Sequence, residues 1–278
     1  MSEFDHLVLP TATLAVARER LTALGFTVAP DGVHPFGTAN CCVFFEDGTF
    51  IEPLAIADAE QADRSAADGN AFVARDALFR AISGDEGLSA LVIKSIDAKA
   101  DDVRFRSSGI SGGPVLDFQR AMIDAVGKSD IAAFSLAFAA EKTSPGAYYF
   151  ACQRVRSPAV DRRALQQHEN GAQAIVGVEA RVLNPAQHAA FFDALFEQAH
   201  RQSPANEWVW SSGDFSFRLR DGDNAGVELT EVRFRVADAA SLATLLRQRS
   251  VAYEAVNATL TVMPAPGQGA IFSFEATQ

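Results

Sequence analysis

The chain is poor in cysteine and short of positive charge, and it lacks long apolar runs; each shortage removes a class of function. Three cysteines in 278 residues, Cys41, Cys42 and Cys152, are too few and odd in number for a disulfide framework. Adjacent Cys41 and Cys42 point to opposite faces of any strand, so they cannot enter one site together. They read as buried thiols of a reducing compartment. Acidic residues outnumber basic ones, 35 to 24, for a formal net charge of -11. That is the wrong sign for nucleic acid or an anionic membrane as main partner, since both require a basic face. No window approaches the roughly 20 continuous apolar residues of a membrane span. The opening "MSEFDHLVLP" carries no basic leader before an apolar run. The expectation is a soluble, cytoplasmic protein with no nucleic-acid or membrane partner, leaving a small-molecule ligand or another protein. A Gly-rich phosphate cradle, a G-x-S-x-G elbow and a C-x-x-C pair are also missing, which sets aside nucleotide binding and serine-nucleophile chemistry.

What is present is apolar and patterned. With 48% hydrophobic residues the chain can bury a substantial core, and its length suits two medium domains. "FDHLVLP" alternates, placing Phe4, His6 and Val8 on one face and Asp5, Leu7 and Leu9 on the other. A helix follows, with Leu14, Ala17, Leu21 and Leu24 at helical spacing and Gly25 as its stop. Then come strands in "TVAPDGVHPFG", "ANCCVFFED" and "TFIEPLAI", with "EDGT" as a hairpin signal.

The order strand, helix, three strands returns at the end of the chain. There Asp238 is the expected N-cap, and Leu242, Leu245 and Leu246 mark the helix. Two fainter copies open at "LSALVIKSIDA" and "AIVGVEARVLNPAQ", the latter with Asn184 and Pro185 as N-cap and N1. Outside the repeat lie an inserted loop at about 57–86, with a short helix near residues 71–82, and a linker, "RSPAVDRRALQQHENGA". The expected domains are 1–160 and 168–278.

One carboxylate stands out. "GTFIEPLAI" is nearly all apolar but contains Glu52, on a face shared with Phe50 and Leu54. An unpaired buried carboxylate costs several kcal/mol or shifts its pKa until it neutralises. His6 occupies a similar apolar face.

Four βαβββ modules in two pairs resemble the vicinal oxygen chelate superfamily of glyoxalases, extradiol dioxygenases and bleomycin- and fosfomycin-resistance proteins. The "DHLVL" start, the "HPFGTAN" turn, "DGTFIEPLAI" and "HENGA" resemble its glyoxalase-like domain family. The resemblance implies an α+β fold of four βαβββ modules paired into two domains with cup-shaped mixed sheets. It further implies that Glu52 faces the N-terminal cup with His6 across from it.

Three roles for that pair stay open: a buried pair satisfying its own polarity, a carboxylate base oriented by histidine, and ligands of a divalent Zn, Mn, Ni or Fe ion. The remaining ligand positions are poorly supplied. The second module offers Ala90 and Gln153. The third offers Glu179, or Val178 after a one-residue slip, and the fourth Phe234 and Glu275. His34 and Asn40, flanking "PFGTA", and His168 and Asn170, in "HENGA", are the candidate substrate-binding residues. His188 and His200 read as surface residues. The C-terminal half shows no comparable polar cluster, and edge strands make a homodimer plausible. Two functions follow from the resemblance. One is an enzyme acting on a small oxygen-rich metabolite, by proton abstraction or by metal-assisted lyase, isomerase or dioxygenase chemistry. The other is a non-catalytic binding protein of the sequestering, resistance type.

Overall fold

A computed structural model describes residues 2–123, 129–159, 161–203, 205 and 207–276. The first module runs β1 (Phe4–Pro10), α1 (Leu14–Ala23), β2 (Gly32–Val33), β3 (Thr38–Asn40), β4 (Val43–Phe44) and β5 (Phe50–Ile56). Thr13 caps α1 by accepting a bond from Val16 N–H. Gly25 ends the helix at φ 84°, a backbone angle that glycine takes without steric cost. The "EDGT" turn closes with a 2.9 Å bond from Phe45 N–H to Thr49 O.

Two helices, α2 (Ala59–Ala67) and α3 (Ala71–Ser83), fill the insertion, where the sequence suggested one. The second module follows as β6 (Ala90–Ser95), α4 (Ala98–Ser107), β7 (Leu116–Ile123), β8 (Ser129–Ala139) and β9 (Tyr148–Arg156). The third comprises β10 (Ala172–Val182), α5 (Ala189–Phe196), β11 (Arg201–Gln202), β12 (Trp208–Ser212) and β13 (Phe215–Asp221). The fourth comprises β14 (Glu228–Val236), α6 (Ala239–Gln248), β15 (Glu254–Val256), β16 (Thr259–Val262) and β17 (Ile271–Ala276).

Asp238 caps α6 as expected, accepting from Ala240 and Ser241 N–H. Asn184 does not cap. It lies at φ 58° before a short 3-10 turn, Pro185–Gln187, and makes no side-chain cap bond.

The four modules form two sheets of the same plan. One has the order β2-β3-β5-β1-β6-β9-β8-β7 and the other β11-β12-β13-β10-β14-β17-β16-β15. In each, a module's first strand runs parallel to its last strand, and the two first strands meet antiparallel at the centre. This is the α+β architecture of paired βαβββ modules that the sequence suggested. A single apolar layer joins the sheets. Phe26 touches Phe45 on one side and Phe234, Phe272 and Phe274 on the other, and Phe4 stacks on Phe215 at 4.2 Å.

Phe4 reaches that layer because β1 is bulged. Its partners are Ile93 for Phe4 but Val92 for His6, so Asp5 is an extra residue. A bulge of this kind reverses the alternation on one side of itself. Phe4 therefore joins Leu7 and Leu9 in the layer between the sheets, not His6 and Val8 as plain alternation has it, and Asp5 turns to His6. Among the described residues no helix is long and apolar enough to cross a membrane.

Candidate functional site

The concave face of the first sheet collects its polar residues at one point. β1 and β5 are parallel with Val8 opposite Glu52 and His6 opposite Phe50, so His6 and Glu52 project side by side into the cup. β3 pairs with β5 and brings Asn40 to the same carboxylate. The tight turn between β2 and β3, closed by His34 N–H bonding Thr38 O, swings His34 over it.

Four of the six residues singled out from the sequence thus meet. Asn40 Nδ2 donates to Glu52 Oε1 at 2.6 Å. His34 Nε2 stands 3.6 Å from that oxygen and His6 Nε2 3.5 Å from the other, separations somewhat longer than a hydrogen bond. His34 Nδ1 is 2.8 Å from Thr38 Oγ1. On the far side of His6, Nδ1 lies 2.8 Å from Asp5 Oδ2, and Asp5 Oδ1 accepts from Arg154 Nη2 at 2.7 Å. A charge-alternating row results: Arg154, Asp5, His6, Glu52. Asp5 and Arg154 were not expected here. The bulge that aims Asp5 at His6 leaves no mark in the residue pattern, whereas Arg154 shares a strand face with Phe150 and Cys152 and was legible by alternation.

All these groups are buried except Arg154, so burial is the first influence on each. It opposes ionisation of Asp5 and Glu52. For Asp5 the hydrogen bonds and charges of His6 and Arg154 outweigh it, lowering the pKa. For Glu52 the His6 and His34 imidazoles and the Asn40 amide hold the carboxyl down at about 2. Burial also disfavours a charged His6, but its two carboxylate neighbours prevail and raise its pKa. His34 goes the other way. Burial pulls it down to about 4, with Arg120 adding to that and the attraction of Glu52 only partly offsetting it. At neutral pH His34 is uncharged, and the pairing with His6 and the Asn40 bond are what keep Glu52 ionised. The cup thus offers an anionic carboxylate, an imidazole whose protonated form its two carboxylate neighbours favour, and a neutral imidazole.

Aromatic rings close around them. His6 stacks on Phe50 at 4.1 Å and His34 on Phe36 at 5.0 Å. Phe72, from the inserted helix α3, meets His34 edge-on. The insertion is therefore a wall of the cup, a role its Ala-rich sequence did not advertise. The space at the polar cluster is about 50 Å³. It shares Phe50, Arg120, Phe134 and Arg154 with an adjoining cleft of about 360 Å³.

His168 and Asn170 lie elsewhere. His168 Nδ1 accepts from Thr27 N–H at 3.0 Å and Nε2 donates to Phe44 O at 3.0 Å. Asn170 donates to Leu24 O and accepts from Ala172 N–H. Their polar atoms are engaged with backbone at the junction of the two sheets, and neither lines the cup.

His188 is buried beside Glu141 at 3.4 Å rather than exposed; His200 is half-buried against Asp193 and Trp210. The C-terminal sheet does carry a polar cluster, contrary to expectation. Buried Glu179 pairs with Arg220 at 3.0 Å, and buried Arg233 reaches Glu275 at 3.3 Å. Phe234 faces the shared apolar layer.

The donor set does not fit a metal ion of the superfamily type. Since Val8 faces Glu52 and Val92 faces Phe150, the second module's counterparts of His6 and Glu52 are Ala90 and Phe150, both apolar. Gln153 points away, bonded to Ile96 O and Ala98 N–H. His6 sits between two carboxylates that favour its protonated form, which cannot ligate. Among the described residues no group of three or more His, Cys, Asp or Glu side chains is placed to hold a metal.

Two sheets of paired βαβββ modules, one cupping a His/Glu cluster, define a protein of vicinal oxygen chelate architecture. Residues 4–196 match the glyoxalase-like domain family, and the chain belongs to that family. Solved structures agree in fold. A hypothetical protein from Staphylococcus aureus is similar at TM-score 0.72 and 17% identity, each chain covered completely. A mutant 4-hydroxymandelate synthase from Streptomyces coelicolor is similar at TM-score 0.66 and 11% identity, covering 99% of this chain and 92% of that one. A xylose isomerase-like TIM barrel/4-hydroxyphenylpyruvate dioxygenase fusion protein matches at TM-score 0.56 and 12% identity, over 99% of this chain and 48% of the other. The search of curated proteins finds no match.

Proposed function

We propose that the N-terminal cup takes a small oxygen-rich metabolite and that Glu52 acts on it as a base, with His6 as its cationic partner. The observation that carries this reading is geometric: the Glu52 carboxylate is buried among phenyl rings 3.5 Å from the His6 imidazole, whose other nitrogen lies 2.8 Å from a second carboxylate, Asp5. An isolated pair that merely satisfied its own polarity does not need Asp5 and Arg154 behind it. A carboxylate beside a cation is the arrangement for removing a proton next to a carbonyl. Glu52 takes the proton from carbon, the C–H electron pair moves into the carbon–carbon bond, and the carbonyl pair moves onto oxygen. His6 then stands opposite the developing negative charge. Asn40 and His34 fix the carboxylate.

One observation favours a second reading, non-catalytic binding. Glu52 is held down at about 2, which keeps it a charged acceptor but makes it a weak base in the empty cup. Solvent exchange separates the two. In D₂O, with hydroxyacetone and 2-hydroxyacetophenone as probes, the wild type is expected to exchange the carbon-bound proton beside the carbonyl faster than buffer. Glu52→Gln should lose that exchange, typically 10²-fold or more, without losing the fold. Binding of either probe with no exchange leaves the sequestering reading in place.

A further inference from the structure

We infer that the cleft adjoining the cup is an anion site, so that the ligand is an organic anion: a carboxylate or phosphoryl group on a flat apolar body. This deepens the reading of the cup as a small-molecule site, and it does not depend on Glu52 being a base. Four arginines, Arg120, Arg154, Arg156 and Arg162, converge on one cleft of about 360 Å³, a volume within the range of small-molecule sites. That concentration is conspicuous in a chain of net charge -11.

Two of the four are already neutralised, Arg154 by Asp5 and Arg156 by Asp130. Arg120 and Arg162 have no carboxylate partner among the described residues. Arg120 Nε is buried without a hydrogen-bond partner among the described residues. Its guanidinium is seated on Gly32, where a methyl group would overlap Nη1, close to the Asn40 amide oxygen. Arg162 lies over the Phe44 ring at 5.1 Å and donates to Met122 Sδ, a weak acceptor, at 3.4 Å.

Two unpaired guanidinium groups held together in a half-buried cleft repel each other, and an anion removes that cost while using their planar donor forks. The walls supply the rest of the ligand's chemistry. Phe44, Phe50 and Phe134 line the cleft, and rings of that kind stack on a flat apolar group. Arg120, Phe50 and Phe134 also line the cup. A ligand anchored through its anion by Arg120 and Arg162 therefore extends its other end towards Glu52 and His6.

Calorimetric titration of the full chain with benzoate, phenyl phosphate and benzyl alcohol tests the inference. One anion should bind each chain saturably, with benzyl alcohol about tenfold weaker or more. Arg120→Met and Arg162→Met should each weaken the anion by about the same factor and leave the alcohol unchanged, while Arg120→Lys and Arg162→Lys recover part of the affinity. The preferred anion tells carboxylate from phosphoryl recognition. Equal binding of alcohol and anions, no saturable anion binding, or anion binding unaffected by both Met variants overturns the inference. Glu52→Gln keeps the two claims apart. If Glu52→Gln binds the anion like the wild type but loses proton exchange, both claims stand. If the wild type binds the anion and shows no exchange, or Glu52→Gln keeps exchanging, the base fails and the anion site stands; exchange without anion selectivity gives the reverse.

Discussion

At the scale of single residues, Glu52 answers to its neighbours more than to its burial. Its carboxyl is brought down from an ordinary 4.5 to about 2, so the native state binds its proton less readily than the unfolded chain does. The stability this contributes is present above about pH 4.5 and is lost as the pH falls through 2. By the linkage of about 1.4 kcal/mol per unit it is on the order of 3 kcal/mol. Glu52→Gln should therefore flatten the urea-unfolding stability profile between pH 4.5 and 2; an unchanged slope there would show that Glu52 is not held ionised by the cup. His6 has the opposite sign. Its raised pKa contributes stability that is complete below its unfolded value and lost as the pH rises through its folded one. Alternation placed His6 and Glu52 each on an apolar face, and the family resemblance implied that the two face each other. Asp5 was not legible, because one inserted residue in β1 reverses its side without changing any residue type.

At the scale of elements, the segment 166–172 is a seam. Gln166 Nε2 donates to Phe45 O, His168 bridges Thr27 and Phe44, and Asn170 bonds Leu24 and Ala172. His168→Ala leaves one backbone donor and one acceptor without a partner, and should cost about 2–4 kcal/mol. Burial brings the His168 pKa down from 6.5 to about 4, so the stability tied to it is present above pH 6.5 and lost as the pH falls towards 4. Denaturation midpoints of wild type and His168→Ala should then converge on acidification across that window; a constant gap would refute the neutral, bridging imidazole. "HENGA" was conspicuous as a motif, but a motif does not say whether its polar atoms face a ligand or a backbone. The insertion was misread for a different reason. Asp58 caps α2 by accepting from Gln61 N–H, a cap signal present in "DAEQ" but obscured by the polar, Ala-rich composition of the helix it starts. Only the fold sets Phe72 against His34.

At the scale of the molecule, the two sheets share one large apolar layer, beside a second cluster that belongs to the first sheet alone. Phe26 is the centre of the shared layer, 3% exposed and ringed by Phe45, Phe234, Phe272 and Phe274. Phe26→Ala should destabilise by about 3–5 kcal/mol, the usual cost of a large cavity. It should also move a single calorimetric transition to lower temperature, because both halves lose contacts at once. Two resolved transitions in the wild type would mean that the halves fold independently and that the layer contributes little. The C-terminal sheet keeps its own ion pairs, each with one buried member: Glu179 with Arg220 and Arg233 with Glu275. Its sequence concealed them because Glu179 and Arg233 are scattered singly among apolar neighbours on different strands.

By itself the sequence determined the repeat, because period-2 and period-3.6 patterns are local properties of a chain. It also determined that Glu52 and His6 need partners, since a buried charge cannot stay solitary. Tertiary structure decided which partners they have. Register, one bulge and the β2–β3 turn brought His34, Asn40 and Asp5 to the same two side chains, and these are relations between strands that no single segment encodes. The same holds for Arg120 and Arg162, which are ordinary in "FQRAM" and "VDRRA" and become a cationic pair only where β7 and the segment after β9 fold against one cleft.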